Sequence, residues 1–337
     1  MNGSYFFVIR GKLGDTLIAW ASVAAYAERH PEAEITLLVR SNYVPLLEHE
    51  RGARLVAFGS RVEMIAKLLW LRVTRPAFDA LAVLWGFGAP IEWIGRLVRA
   101  RRKIYLDARF ASLFPEYPAP ARDEYQLDPA WRVLRCLDSD LPRPQRLRLP
   151  GLASLRRPQP EAIALVPVAD EERRSIDAVH VARLARAIER RHPGDPIWIL
   201  LDPGEAARIG GELPAAAKCV TFATLEELLD RYARLKAWYG TDTGPYHLAV
   251  AMGIPATVFF GPTQPAKNSF PGQTGLVRVR LSALGNEHCE EKQCMRPVCL
   301  HQAIANFAGD AVAPELEETP PNCPLRAHPA AALARNS

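Results

Sequence analysis

Apolar residues in the first third of the chain alternate between short continuous runs and stretches with three- to four-residue spacing. Residues 5–9, YFFVI, form an unbroken run, which predicts a strand buried on both faces. Behind them, after RGKLGD, Leu17, Trp20, Ala24 and Ala27 repeat at helical spacing, with Asp15 and Thr16 where an N-cap belongs. Residues 34–40 supply the next strand, after a break at His30 and Pro31. Strand, helix and strand in about 36 residues is the spacing of a parallel-sheet unit. The alternation continues with a strand at 55–58, a helix at 62–71, a strand at 80–85, a basic amphipathic segment at 91–101 and a strand at 103–106. Residues 108–129 lack regular periodicity, and 131–137 predict a compact helix.

Pro142, Pro144, Gly151, Pro150 and Pro158 then mark a linker or domain edge. Beyond it the pattern restarts: strands at 162–166, 196–201, 218–222, 235–239 and 256–260, with helices at 179–190, at 225–233 and through His247 and Met252. Proline-rich residues 315–337 read as a surface extension in which 330–335 could add a short helix. The expected fold is therefore α/β: two Rossmann-like parallel-sheet domains, 1–155 and 156–314, facing a cleft, followed by an extension at 315–337. Ligand-facing loops belong at the C-terminal ends of the strands.

Length and composition agree with this reading. A chain of 337 residues exceeds the usual single-core size, and 49% hydrophobic with 23% charged residues suits a folded protein. The formal net charge of +5 is uneven, because residues 1–150 hold 22 basic against 16 acidic side chains. That half should attract an anionic partner such as a phosphorylated glycan or a membrane surface. Nucleic acid is not expected: Arg99, Arg101, Arg102 and Lys103 form a run, but no nucleic-acid-binding motif accompanies it. The absence of a secretory leader and of a long apolar stretch predicts a cytoplasmic protein, where six cysteines do not make a disulfide scaffold.

Two loops carry the candidate chemistry. In Arg10, Gly11, Lys12, Leu13, Gly14, Asp15 the glycines allow close backbone approach at a strand-to-helix mouth. A carboxylate there can take a proton from an attacking hydroxyl or simply cap the helix. Thr241, Asp242, Thr243, Gly244 and Pro245 form the second loop, whose backbone donors can hold a diphosphate or merely make a capped turn. His247 follows on the helix, where a buried, hydrogen-bonded histidine is the commoner role. Gly261, Pro262, Thr263, Gln264 and Pro265 shape a rigid turn that could reach a ribose or sugar. Neither a dinucleotide fingerprint, a P-loop nor a zinc-hydrolase HExxH motif occurs.

RGKLGDTLIAWASVAAYAERHPEAEITLLVR resembles the N-terminal signature of the ADP-heptose:lipopolysaccharide heptosyltransferases, glycosyltransferase family 9, and YGTDTGPYHLAVAMGIPATVFFGPTQP resembles their donor-binding segment. The resemblance implies a GT-B fold with the acceptor on the N-terminal domain and the nucleotide sugar on the C-terminal one. It further implies a metal-independent inverting enzyme that needs no cofactor for catalysis, with Asp15 as general base and Arg10, Gly11, Lys12 and Gly14 in the loop around it. Asp242, Thr243, Gly244, His247, Gly261, Pro262, Thr263 and Gln264 match donor-site positions. The implied donor is ADP-heptose. The implied acceptor is an anionic glycan or lipid-linked sugar, reached at the cytoplasmic face of a bacterial inner membrane. An inactive glycan-binding member and a transferase with another donor or a protein acceptor are the alternatives.

The family's lysine before Arg-Trp-Pro is replaced here by Arg174 followed by Ser175 and Ile176, and the acid of its Pro-Thr-Asp-Pro turn by Gln264. Arginine keeps the charge but not the compact geometry of lysine. Cys289, Cys294 and Cys299 are five residues apart, and Cys323 lies beyond them. Four thiolates could hold a structural zinc or iron, although the separations exceed the common paired spacing. The segment also resembles a cysteine-bearing C-terminal element of family relatives, some of which bind iron.

Overall fold

The computed structural model describes residues 3–118, 128–205, 209, 212–273, 275–281 and 297–309. The chain divides into two compact units, Met1–Ser154 and Leu155–Ser337.

The first unit contains β1 (Ser4–Ile9), α1 (Leu13–Arg29), β2 (Glu34–Arg40), α2 (Val44–Leu47), β3 (Arg54–Phe58), α3 (Arg61–Thr74), β4 (Phe78–Trp85), α4 (Ala89–Leu97), β5 (Ala100–Ile104), α5 (Asp128–Arg135) and α6 (Pro150–Ser154). Its five strands are parallel in the order β3-β2-β1-β4-β5. Phe6, Phe7, Val8 and Ile9 of β1 are wholly buried, as a central strand with covered faces requires. Phe6 and Val8 join Leu68, Leu81, Val83, Ile91 and Ile94 in one core. Ser60 caps α3 by accepting from the amide of Glu63 at 3.1 Å.

The basic run differs from its expected place. α4 ends at Leu97, and residues 100–104 form edge strand β5, paired with β4. The run is engaged locally: Arg102 makes a two-nitrogen contact with Glu116, Arg101 faces Asp79 at 3.2 Å, and Lys103 donates to the Gly95 carbonyl. Charged side chains on such an edge oppose strand addition by another chain.

The second unit contains β6 (Ala162–Val166), α7 (Ala178–Arg191), β7 (Ile197–Leu201), β8 (Ala217–Thr221), α8 (Leu225–Ala233), β9 (Leu235–Thr241), α9 (Gly244–Ala251), β10 (Ala256–Phe259), α10 (Pro265–Asn268), β11 (Val277–Arg280) and α11 (Val298–Ala308). Six parallel strands run in the order β11-β10-β9-β6-β7-β8. Val181, Leu184 and Ile188 of α7 share a core with Leu300, Ile304 and Phe307 of α11, so these two helices lie together on one face of the sheet. α9 is apolar and buried from Tyr246 through Ala251, as a helix with no free face must be.

In each sheet the first strand of the unit lies between neighbours reached by chain excursions in opposite directions: β1 between β2 and β4, β6 between β7 and β9. The loops leaving β1 and β4, and those leaving β6 and β9, diverge there. Open α/β sheets bind ligands at such switch points. The expected extension at 315–337 lies outside the described residues, as does the short helix expected within it.

Candidate active-site loops

The first switch point carries RGKLGD. Helix α1 starts earlier than expected: its N-cap is Lys12, and Asp15 stands three residues inside. From there the Asp15 Oδ2 accepts from the Lys12 amide at 2.9 Å, satisfying a backbone donor at the helix start, where negative charge is favoured. Thr16 is buried inside the helix, its hydroxyl donating to the Lys12 carbonyl at 2.8 Å, so it does not cap the helix. Capping and chemistry are compatible for Asp15, because one amide uses only part of a carboxylate's accepting capacity. Gly11 makes the placement possible: a Cβ there would sit 2.3 Å from the Asp15 Cβ and 2.7 Å from the Trp85 ring.

Arg10 leaves the end of β1 with its amide on the Trp85 carbonyl at 2.8 Å and its Nη1 donating to the Phe87 carbonyl at 3.1 Å. It lines a cavity of about 170 Å³ with Arg40 at the end of β2 and Gly59, Ser60 and Arg61 after β3. Partial burial and the neighbouring charges of Arg40 and Arg61 lower the Arg10 pKa from its usual value. Three guanidinium groups around one small cavity repel each other until an anion lies among them. Arg40 and Arg61 were not singled out in the sequence. The available signal was the place of Arg40 at the end of β2 and of Arg61 just after β3, at the same end of the parallel sheet as the loop that follows β1.

The second switch point carries Thr241–Asp242–Thr243–Gly244. Thr243 is the N-cap residue of α9, and a buried chain fixes the helix start: Trp238 Nε1 donates to the Tyr232 hydroxyl at 2.9 Å, which donates to the Pro245 carbonyl at 3.1 Å. Asp242 is only 4% exposed. Arg174, on a short turn after β6, reaches across with Nη1 donating to the Asp242 carbonyl at 2.7 Å and lying 4.0 Å from its Oδ2. Cross-loop contact thus holds the positive charge beside the first turn of α9, although the family's lysine is missing.

His247 is buried one turn into α9. Burial, with a smaller contribution from the Arg174 charge, pushes its pKa down to about 3, so the ring is neutral near pH 7. It can donate or accept one hydrogen bond there but cannot supply a positive charge.

Gly261, Pro262 and Thr263 follow β10 and are buried, with Gln264 capping the four-residue α10. A Cβ on Gly261 would lie 3.0 Å from the Leu300 Cβ, 3.7 Å from Cys299 Sγ and 3.8 Å from the Arg173 carbonyl. This turn therefore abuts both α11 and the Arg174 loop. The Thr263 hydroxyl is buried without a hydrogen-bond partner among the described residues.

Cys299, in the first turn of α11, is described; Cys289, Cys294 and Cys323 lie outside the described residues. The fold instead assembles a group that spacing did not suggest: Asp177, His180 and His301 place their ligand atoms within 4.8 Å of one another. Asp177 and His180 are three residues apart at a helix start, but His301 is 121 positions further on, and only the packing of α11 against α7 unites them.

A family model for glycosyltransferase family 9 (heptosyltransferase) matches residues 147–301, the body of the second unit. Over these residues the chain is similar to glycosyltransferase family 9. No curated protein matches by sequence. Among solved structures, E. coli heptosyltransferase WaaC with ADP aligns at 15% identity, covering 82% of this chain and 92% of WaaC, with a TM-score of 0.66. E. coli ADP-heptose lipopolysaccharide heptosyltransferase II aligns at 16% identity over 90% of this chain and 98% of its own, with a TM-score of 0.64. The dodecameric iron-containing heptosyltransferase TibC of enterotoxigenic E. coli, in complex with ADP-D-β-D-heptose, reaches 0.52 at 14% identity over 80% of this chain and 61% of that one. The fold is thus GT-B-like, built from two Rossmann-like units.

One expectation is corrected. Strict metal-independence does not fit a structure that brings ligand atoms of a carboxylate and two imidazoles within 4.8 Å of one another, nor the iron-containing protein among its fold relatives. Among the described residues no helix is long and apolar enough to cross a membrane.

Proposed function

We propose that the chain is an inverting glycosyltransferase that moves heptose from ADP-heptose to a hydroxyl of a bacterial surface glycan or lipopolysaccharide core. The observation that carries this reading is the pairing of loop types with switch points: a carboxylate in RGKLGD at one, and TDTG with a crossing arginine at the other. The donor class is suggested by the fold relatives, E. coli heptosyltransferase WaaC with ADP and the ADP-heptose lipopolysaccharide heptosyltransferase II.

In this reading the first unit takes the acceptor. Asp15 accepts the hydroxyl proton as the oxygen forms its bond to the anomeric carbon, and the bond to the diphosphate breaks with its electron pair leaving on the phosphate oxygen. Gly11 keeps the carboxylate where the helix places it, and Lys12 and Gly14 shape the same mouth. Arg10, Arg40 and Arg61 receive an anionic group of the acceptor, such as a sugar phosphate or carboxylate, and a lipid-linked acceptor would bring this unit to the cytoplasmic face of the inner membrane.

The second unit takes the donor. Backbone amides at the start of α9 and the Arg174 guanidinium stabilise the charge that develops on the departing diphosphate. Asp242 orients Arg174, Thr243 and Gly244 leave the backbone open to phosphate, and neutral His247 is a hydrogen-bonding partner. Gly261, Pro262, Thr263 and Gln264 form the neighbouring wall, with the Thr263 hydroxyl available to the nucleoside or sugar.

Calorimetry with ADP-, GDP- and UDP-sugars tests the assignment. Saturable binding with preference for ADP-heptose is expected. Preference for a UDP- or GDP-sugar would overturn the donor, and binding of none would overturn the transferase reading.

A further inference from the structure

Three side chains outside both loops form a compact ligand set. Asp177 is the N-cap of α7; its Oδ1 accepts from the His180 amide at 2.9 Å and meets His180 Nδ1 at 2.8 Å. Its other oxygen, Oδ2, lies 3.2 Å from Nε2 of His301 on α11. The two imidazole rings are stacked, with centroids 4.0 Å apart and planes 15° from parallel. Both ring nitrogens therefore address one carboxylate from the same side.

We propose that Asp177, His180 and His301 bind one divalent transition-metal ion of the zinc class, clipping the start of α7 to α11. Two imidazoles and a carboxylate are borderline ligands suited to zinc, iron or cobalt in their divalent states rather than to calcium or magnesium. Ligand atoms around a tetrahedral zinc stand roughly 3.3 Å apart, from bonds of about 2.0–2.1 Å. The contacts of 2.8 and 3.2 Å and the limit of 4.8 Å on the whole set bracket that value, and the stacked rings must turn out of parallel for their nitrogen lone pairs to converge on the ion. The histidine rings are mostly buried while Asp177 is exposed, so an ion can enter from solvent and a water can take the fourth position.

Leu300 and Ile304 of α11 share an apolar core with Val181, Leu184 and Ile188 of α7. The clip acts near both donor-side loops, because Asp177 follows Arg174 by three residues and α11 carries the Leu300 and Cys299 side chains that adjoin Gly261. Its existence does not depend on which sugar nucleotide the protein uses.

Cobalt(II) added to chelator-treated full-length protein tests the site, since its visible spectrum reports ligand type. One Co²⁺ per chain is expected, with ligand-field bands of nitrogen and oxygen ligation, no near-ultraviolet thiolate charge-transfer band, displacement by Zn²⁺, and a melting temperature that rises with free metal. His180→Ala and His301→Ala should each weaken Co²⁺ binding by about 100-fold or more. Asp177→Asn can still accept from the His180 amide, so it preserves the helix cap while weakening the metal. No Co²⁺ binding, a thiolate band, or binding unchanged in all three variants would overturn the proposal, the last two placing the metal on the cysteines.

Discussion

The two switch points have the same topology and opposite chemistry. At the β1/β4 mouth the side chains are charged and partly exposed: one carboxylate, and three guanidinium groups crowded around a small cavity. At the β6/β9 mouth Asp242, Thr243 and His247 are buried, histidine is held neutral, and the single arginine that crosses is anchored on a carbonyl. The first arrangement suits removing a proton beside an anionic molecule. The second suits a diphosphate held by fixed backbone dipoles, which need no reorganisation as charge develops. In the proposed function, one fold used twice separates the acceptor's chemistry from the donor's, and the separation can be attacked from either side.

The largest effect should come from Asp15→Asn. It leaves an oxygen able to accept from the Lys12 amide, so folding survives, but transfer should fall by about two to four powers of ten, the usual scale for loss of a general base. Gly11→Ala attacks the same carboxylate through the backbone. The new methyl group must displace Asp15 or Trp85, so a stability loss of about 1–3 kcal/mol in denaturant melts should accompany a large drop in rate.

Next come the arginines. Arg61→Ala should raise KM for an anionic acceptor by about tenfold with little change in donor affinity, and Arg174→Ala should do the reverse, each losing one charge-assisted contact. Steady-state kinetics with both substrates varied separates the two.

His247 gives the comparison a pH axis. Its pKa is lower in the folded protein, at about 3, than the usual 6.5, so the unfolded state binds the proton first. Its stabilising contribution is full above about pH 6.5 and is lost progressively as pH falls toward 3. His247→Gln should therefore show a shallower decline in melting temperature between pH 7 and 4 than the parent protein. The smallest effect belongs to the edge strand, where removing both Arg102 and Glu116 should change stability by no more than about 1 kcal/mol.

Much of this was legible in sequence because the parallel-sheet pattern is written in short range. Continuous apolar runs such as FFVI, helical spacing after each, and glycine-containing loops between them are local signals, and they gave both loops and every strand but β11, whose short VRVR alternates with exposed arginines instead of running apolar. The helix start at Lys12 was misplaced because Asp15 caps from inside the first turn, reaching back three residues rather than standing ahead of the helix. The basic segment expected to run through residue 101 before a strand at 103–106 ends instead at Leu97, and the strand begins at Ala100, because an edge strand tolerates charge on its open side. The Arg10, Arg40 and Arg61 cavity and the Asp177, His180 and His301 cluster were invisible for a different reason. Each joins residues from separate elements, and no spacing along the chain encodes the packing of α7 on α11 or the order of β1, β2 and β3.

The division of labour between the two mouths is tested most directly by the affinity of Asp15→Asn for ADP-heptose, measured by calorimetry beside its transfer rate. If the donor is held by the second unit and Asp15 only removes the acceptor's proton, the variant binds ADP-heptose within about threefold of the parent while transfer collapses by at least about 100-fold. Donor affinity falling in step with the rate, or near-parental turnover in the variant, would contradict the account.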